Sequence, residues 1–104
     1  MSRVKISVGD TVHWFRDFNK FRIESGNIIE PMEDYGVIIK VEIDTDYFSH
    51  QKMYWAVWKS DDFSYKKQSF TKYRHLKKIS KEEFRKECGI SSEEILDNIM
   101  IEEL

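Results

Sequence analysis

The sequence lacks the residues that several common classes of protein require. Its one cysteine, Cys88, excludes an internal disulfide, which fits a reducing compartment. Its four glycines are isolated from one another, so no glycine-rich loop can hold a phosphate group. No stretch approaches the roughly 18 consecutive apolar residues of a membrane-spanning helix. We therefore expect no membrane partner and no phosphate-binding loop.

The N-terminal segment and the composition predict a cytoplasmic, single-domain protein. Residues 1–8 are basic but contain neither an apolar core stretch nor a small-residue cleavage site, so they do not resemble a secretion signal. A chain of 104 residues is expected to form one domain. Apolar residues make up 40% of the chain and aromatic residues 14%, which is enough for a modest core.

Charge is unevenly distributed along the chain, although the net charge is only −2. Residues 63–81 contain seven Lys or Arg and no acidic residue. Residues 82–104 contain eight acidic residues against Arg85 and Lys86. A basic block is therefore followed by an acidic one.

Two stretches rich in β-branched and aromatic residues, Tyr35–Ile43 and Met53–Lys59, predict the central strands of a small sheet. Residues 44–51 between them have the composition of a turn. In the first strand, an uninterrupted two-residue period puts Lys40 and Glu42 on one face with Ile38. The opposite face then carries four aliphatic residues: Val37, Ile39, Val41 and Ile43.

Shorter strands are expected on either side of this central pair. The first lies within Lys5–Phe15, after a turn at Gly9-Asp10. A strand over Phe63–Thr71 is expected next, then a helical turn at residues 73–76 and a last strand at Lys77–Ile79. Residues 16–34 predict a long loop or an irregular hairpin.

After Ser80 the apolar period becomes helical. Ser80 begins a capping box with Glu83, and Gly89 is placed to end the helix. The four-residue spacing of Phe84 and Cys88 puts both on one face of this helix. Residues 91–94 repeat the capping signature and start a second helix with an apolar stripe.

The order of these elements resembles the SH3-like small-barrel superfamily, which includes KOW and Tudor modules. The similarity depends on four segments: Val8-Gly9-Asp10, Tyr35-Gly36-Val37-Ile38, Trp55-Ala56-Val57-Trp58 and Leu76-Lys77-Lys78-Ile79. More narrowly, the layout resembles short uncharacterised proteins of tailed bacteriophages. The resemblance covers residues 8–79 and does not extend to the helices.

The resemblance implies an SH3-like small β-barrel of about five strands. Together with the two helices that the apolar period predicts, the expected fold is mainly β with a C-terminal pair of short α-helices. The barrel would occupy residues 1–80, with a long loop at 16–34. Residues 81–104 would form a helical extension that belongs to the same domain or serves as an interface. A bacteriophage virion component or accessory protein is implied, in the host cytoplasm or incorporated into the virion.

Enzymatic and metal-binding roles are not expected. His13, His50, His75 and Cys88 have none of the close spacings of zinc sites. Cys88 could act as a nucleophile only with a distant histidine, and its place beside Phe84 favours a buried structural role. We therefore expect no cofactor and no small-molecule substrate.

Nucleic-acid binding is the alternative function. Cations and aromatic residues alternate between residues 63 and 81, and such residues can neutralise phosphates and stack on bases. Ordinary strand burial of the aromatics, or neutralisation by the acidic tail, would account for the same pattern. The candidate residues are Tyr65, Lys66, Lys67, Lys72, Tyr73, Arg74, Lys77 and Lys78.

An aromatic cage of the Tudor type is a third hypothesis. Such a cage would bind a cation through the faces of its rings. The same rings would serve equally well as ordinary core residues. The candidate residues are Trp14, Tyr35, Trp55 and Phe63.

The leading prediction is a non-enzymatic module for protein–protein interaction or assembly, with a protein partner or self-association. The second helix would either pack on the barrel or insert its apolar stripe into a partner's groove. If it packs on the barrel, Ile101 and the open strand edges become the next candidates. The predicted interface comprises Ile95, Leu96, Ile99, Met100 and Leu104.

Overall fold

A computed structural model describes residues 4–16, 23–24, 27–28, 32–43 and 52–103. Strands and helices within these residues follow the predicted order. The strands are β1 (Thr11–Arg16), β2 (Ile23–Glu24), β3 (Asn27–Ile28), β4 (Met32–Ile43), β5 (Lys52–Trp58), β6 (Ser69–Lys72) and β7 (Leu76–Ile79). The helices are α1 (Lys81–Cys88) and α2 (Ser92–Glu103), and 3-10 helical turns occur at Lys59–Asp61, Tyr65–Lys67 and Tyr73–His75.

The main sheet is open and antiparallel, with five strands in the order β6-β5-β4-β1-β7. The predicted mainly β fold with two C-terminal helices is therefore confirmed. The central strand predicted to start at Tyr35 is β4, and it starts at Met32, within the predicted loop 16–34. The same loop contains the small antiparallel pair β2–β3, and its residues 17–22, 25–26 and 29–31 lie outside the described part of the chain.

The main sheet separates two apolar clusters. The first, which we call the sheet core, comprises Ile6, Val12, Ile38, Tyr54, Ala56, Trp58 and Leu76. The second, which we call the helix core, comprises Val37, Val57, Ile79, Phe84, Ile95 and Ile99. Because the helices contribute three residues to the helix core, they cover one face of the sheet.

A β-bulge in β4 corrects the predicted faces of that strand. Ile38 pairs with Ala56 and Lys40 with Trp55, so Ile39 is an extra residue without a partner in the register. Val37 and Ile39 pack in the helix core, whereas Val41 packs against the sheet core. The prediction that Val37 and Val41 share a face was wrong, because the bulge interrupts the two-residue period between them.

The predicted strand over Phe63–Thr71 is also corrected. Asp62 and Phe63 both have left-handed backbone conformations, with φ of 53° and 54°, which interrupt an extended chain. The Phe63 N–H donates to the Trp58 carbonyl at 2.8 Å, closing a tight turn. A 3-10 turn follows at Tyr65–Lys67, and the strand begins only at Ser69.

The predicted helix boundaries are confirmed by capping contacts. Ser80 Oγ accepts a hydrogen bond from the Glu83 N–H at 3.1 Å, and Ser91 Oγ accepts one from the Glu94 N–H at 3.3 Å. Gly89 ends α1 in the left-handed region with φ of 73°, and its N–H donates to the Arg85 carbonyl. These contacts fix where each helix begins or ends.

A close backbone approach at Gly36 yields a first prediction. A Cβ added at Gly36 would lie 2.6 Å from Trp58 Cε3 and 2.9 Å from the Val57 carbonyl oxygen. We expect Gly36→Ala to lower the free energy of unfolding by about 1–3 kcal/mol, because both neighbours are buried and one is backbone. Urea denaturation followed by tryptophan fluorescence measures this, with Lys52→Ala at an exposed position of β5 as the control. A Gly36→Ala variant as stable as wild type would contradict the packing described here.

Two adjacent residues of α2 provide a test of helix docking. Ile99 is 8% exposed and Met100 is 65% exposed. Ile99→Ala should cost about 2–5 kcal/mol of stability, because it leaves a cavity in the helix core. Met100→Ala should change stability by less than about 0.5 kcal/mol. Equal effects of the two substitutions in urea denaturation would mean that α2 does not pack on the sheet in solution.

Candidate functional site

A cleft of about 430 Å³ lies along β6, at one edge of the main sheet. All four residues of β6 line it, together with residues from β1, β4, β5 and two of the 3-10 turns. Its size falls within the range of ligand-binding pockets. The lining residues are Trp14, Asp34, Trp58, Ser60, Asp61, Ser69, Phe70, Thr71, Lys72, Arg74 and His75.

Two tryptophans form the aromatic part of the cleft wall. The Trp14 and Trp58 rings meet edge to face, with centroids 6.4 Å apart and an interplanar angle of 65°. The Trp14 Nε1–H donates a hydrogen bond to Thr71 Oγ1 at 3.0 Å. Because Trp14 is on β1 and Thr71 on β6, this bond joins strands that β5 and β4 separate in the sheet. The sheet must therefore curl, which brings residues from distant strands to one cleft.

The acidic residues of the cleft differ in their surroundings. Asp34 is held at the β4 side, where its carboxylate accepts hydrogen bonds from Ser60 Oγ at 2.5 Å, from the Ser60 N–H at 3.2 Å and from the Tyr35 N–H at 2.9 Å. Asp61 ends the 3-10 turn that follows β5 and is partly exposed. Asp34 therefore anchors the turn after β5 to β4.

The basic residues of the cleft belong to β6 and the turn after it. Lys72 and Arg74 are exposed, and Arg74 Nε–H donates to His75 Nε2 at 3.2 Å. The register pairs Ala56 with Ser69 and Met53 with Lys72. Residues that follow Trp58 therefore lie beyond the Ser69 end of β6, and Lys72 lies at its other end. The cleft can receive a ligand that carries an apolar or aromatic group beside a negative charge.

The predicted nucleic-acid residues do not form one continuous strip. Tyr65 packs against the helix core, whereas Tyr73 packs against the sheet core and donates its hydroxyl to the Val4 carbonyl at 2.8 Å. Lys78 Nζ lies 3.4 Å from Asp10 Oδ2. The remaining cations are exposed but dispersed: Lys66 and Lys67 on a 3-10 turn, Lys72 and Arg74 at the cleft, and Lys77 on β7.

The four rings proposed for an aromatic cage do not all share one set of neighbours, although Tyr35 and Phe63 both pack against the helix core. Trp14 packs against the sheet core, and Tyr35 packs against the helix core. Trp55 lies beside Phe70 with ring centroids 5.3 Å apart, and Phe63 lies beside Phe84 with centroids 5.8 Å apart. The structure does not bring these rings together around one point.

Because α2 docks on the sheet, part of the predicted protein interface is buried and part stays exposed. Ile95 and Ile99 are 2% and 8% exposed and belong to the helix core, and Leu96 packs beside them. A partner could reach Ile95 and Ile99 only if α2 left the sheet. Met100 remains 65% exposed, and Leu104 lies outside the described residues.

The histidines and the cysteine are separated in the structure. His13 stacks on Tyr35 at 4.6 Å with its Nε2 3.1 Å from Glu33 Oε2, whereas His75 lines the cleft. His50 lies outside the described residues. Among the side chains that are described, no group of three His, Cys, Asp or Glu residues could hold a metal ion.

Burial also reduces the reactivity expected of Cys88. The pKa of the Cys88 thiol is raised because burial disfavours the thiolate, more than the nearby Lys59 ammonium favours it; Asp34 and Glu87 raise it further. The thiolate is the nucleophilic form of cysteine, so the folded protein presents little of it at neutral pH.

Comparisons with protein-family models, with curated proteins and with solved structures found no match to this chain. Within the described part of the chain, neither helix is both long and apolar enough to cross a bilayer.

Sequence reasoning missed the cleft because its residues come from six separate elements. Asp34 and Ser60 are ordinary turn-forming residue types in the sequence, and they meet only when β4 and β5 pair. The sequence predicts Trp58 at the end of a strand, but the two-residue period cannot show that it faces Trp14. Trp14 of β1 reaches Thr71 of β6 only because the sheet curls, and no local sequence pattern predicts that curl.

The hydrogen bond from Trp14 to Thr71 yields a third prediction. Thr71→Val removes the acceptor but keeps the shape, and should cost about 1–3 kcal/mol because a part-buried indole N–H loses its partner. Thr71→Ser keeps the hydroxyl and serves as the matched control, with a smaller loss. Thermal unfolding followed by circular dichroism measures both. A valine variant as stable as the serine variant would show that this bond does not contribute to the curl.

The raised pKa of Cys88 yields a fourth prediction. Iodoacetamide at pH 8 should modify Cys88 several-fold more slowly in the folded protein than in the urea-unfolded chain, because less thiolate is present and access is reduced. Mass spectrometry of timed samples measures the two rates. Equal rates would contradict the burial of this thiol.

Proposed function

We propose that this protein is a non-enzymatic interaction module that binds a segment of a protein partner in the cleft along β6. The cleft itself carries the proposal. It combines two tryptophans, the half-exposed Phe70 and charged residues of both signs in one concave site. Aromatic residues and arginine are the types that most often anchor protein interfaces.

The architecture supports an SH3-like small barrel as the finer description of the fold. Strands β4, β5 and β6 form a meander, and the 3-10 turn at Tyr73–His75 returns the chain to β7 beside β1. The Trp14–Thr71 hydrogen bond draws the two halves of the sheet towards each other. The resemblance noted in the sequence extends this proposal to a bacteriophage virion component or accessory protein in the host cytoplasm.

The hydrogen bonding in the cleft supports a binding role over a catalytic one. Ser60 Oγ donates directly to Asp34, with no imidazole between them to accept its proton. His75, the histidine of the cleft, instead accepts from Arg74. The three residue types of a hydrolase triad are therefore present, but not in the order that activates a serine.

Single-stranded nucleic acid is the second candidate ligand of this cleft. The lining of this one cleft includes Lys72 and Arg74 as phosphate-binding cations and Trp14 and Phe70 as stacking rings. The dispersal of the other predicted cations makes this candidate weaker than a protein segment.

Selection from a random linear peptide library tests the proposed function. We expect selected peptides to bind wild-type protein and to lose about tenfold or more in affinity with Phe70→Ser. Met100→Ser, which removes an even more exposed apolar side chain from α2, should leave binding unchanged. Isothermal titration calorimetry measures the affinities.

Three outcomes would overturn the proposal. The first is a selection that enriches no peptide. The second is a peptide affinity that Phe70→Ser does not change. The third is tight binding of oligothymidine that falls steeply with salt and disappears with Lys72→Glu, which would establish the nucleic-acid alternative instead.

A further inference from the structure

The strand β6 forms an edge of the main sheet. Among the described residues it pairs with β5 and with no strand on its other side. An unpaired edge offers backbone N–H and C=O groups to an added strand. Because all four residues of β6 also line the cleft, an extended segment laid along this edge would occupy the cleft as well.

Positive charge surrounds this edge. Lys66 and Lys67 precede β6, Lys72 ends it, and Arg74 follows; all four are exposed. No acidic residue occurs between residues 63 and 81. Two copies of the same edge would therefore meet with like charges opposed, which disfavours pairing of β6 with itself. An acidic segment would meet opposite charges along the same path.

The two acidic residues of the cleft do not cancel this preference. The Asp34 carboxylate is engaged by Ser60 and the Tyr35 amide. Asp61 follows β5, beyond the Ser69 end of β6, whereas Lys72 lies at the opposite end. Lys72 and Arg74, at the end of β6 away from Asp61, therefore face a ligand with no acidic residue beside them on β6.

We propose that β6 binds an acidic, extended segment of a protein partner as an added antiparallel or parallel strand. An aromatic or large aliphatic side chain of the segment packs against the cleft's aromatic residues, and its carboxylates lie near Lys72 and Arg74. This inference depends on the proposed function and specifies the chemistry of the partner. Backbone hydrogen bonds supply affinity in this mode, and the cleft and the cations supply specificity.

A pair of synthetic peptides tests the inference. The acidic probe is Glu-Val-Glu-Phe-Glu-Val, and its charge-reversed counterpart is Lys-Val-Lys-Phe-Lys-Val. We expect the acidic probe to bind the wild-type protein about tenfold or more tightly than the basic one, and Lys72→Glu to remove this preference. Lys86→Glu, which makes the same charge change on α1, is the matched control and should keep it. Amide hydrogen exchange should slow at Ser69–Lys72 when the acidic probe binds, because an added strand protects edge amides.

The outcomes separate the inference from the proposed function. If library peptides bind the cleft but the acidic probe does not, the proposed acidic chemistry of the partner is wrong, and the proposed interaction function stands. Binding of the acidic probe without slower exchange at Ser69–Lys72 would overturn the added-strand geometry. If oligothymidine binds the protein and neither the acidic probe nor any library peptide does, the inference and the proposed function both fail.

Discussion

The β4–β5 pair is buried on both of its faces, and the other elements are arranged to cover them. Val37 and Ile38 are adjacent in β4 and both are inaccessible to solvent, as are Ala56 and Val57 in β5. Adjacent strand residues point to opposite faces, so each face needs its own cover. The curl of the sheet provides one cover, and the two helices provide the other. The helices are therefore part of the folded unit.

The same constraint produces the cleft. Curling the sheet over its own face brings Trp14 of β1 to Thr71 of β6, but β6 keeps one side unpaired in the described structure. The cleft is the space left where the curl approaches closure without strand pairing. The edge and the cleft thus have the same origin, the unpaired side of β6, and the proposed ligand would contact both.

Local sequence signals predicted the parts of the fold that depend on local chemistry. The caps at Ser80 and Gly89 follow from hydrogen bonding within one helical turn. The strand at Phe63–Thr71 was predicted wrongly because Phe63 has a left-handed backbone, which a bulky aromatic residue rarely adopts and which no local pattern signals. Docking of Ile95 and Ile99 and the meeting of Asp34 with Ser60 depend on residues far apart in sequence, for which the two-residue and helical periods carry no information.

The bulge at Ile39 determines where β4 can lose a residue without reversing the faces of its side chains. The register has one residue more than a regular ladder needs, and that residue brings Val41 to the sheet core and sends Lys40 and Glu42 to the other face. Loss of Ile39 would leave every later side chain of β4 on its present face. Loss of a residue from the regular part that precedes the bulge would instead move a segment of β4 by one residue and reverse the faces of its side chains. Sequence variants that lack one residue of β4 should therefore lose it at the bulge.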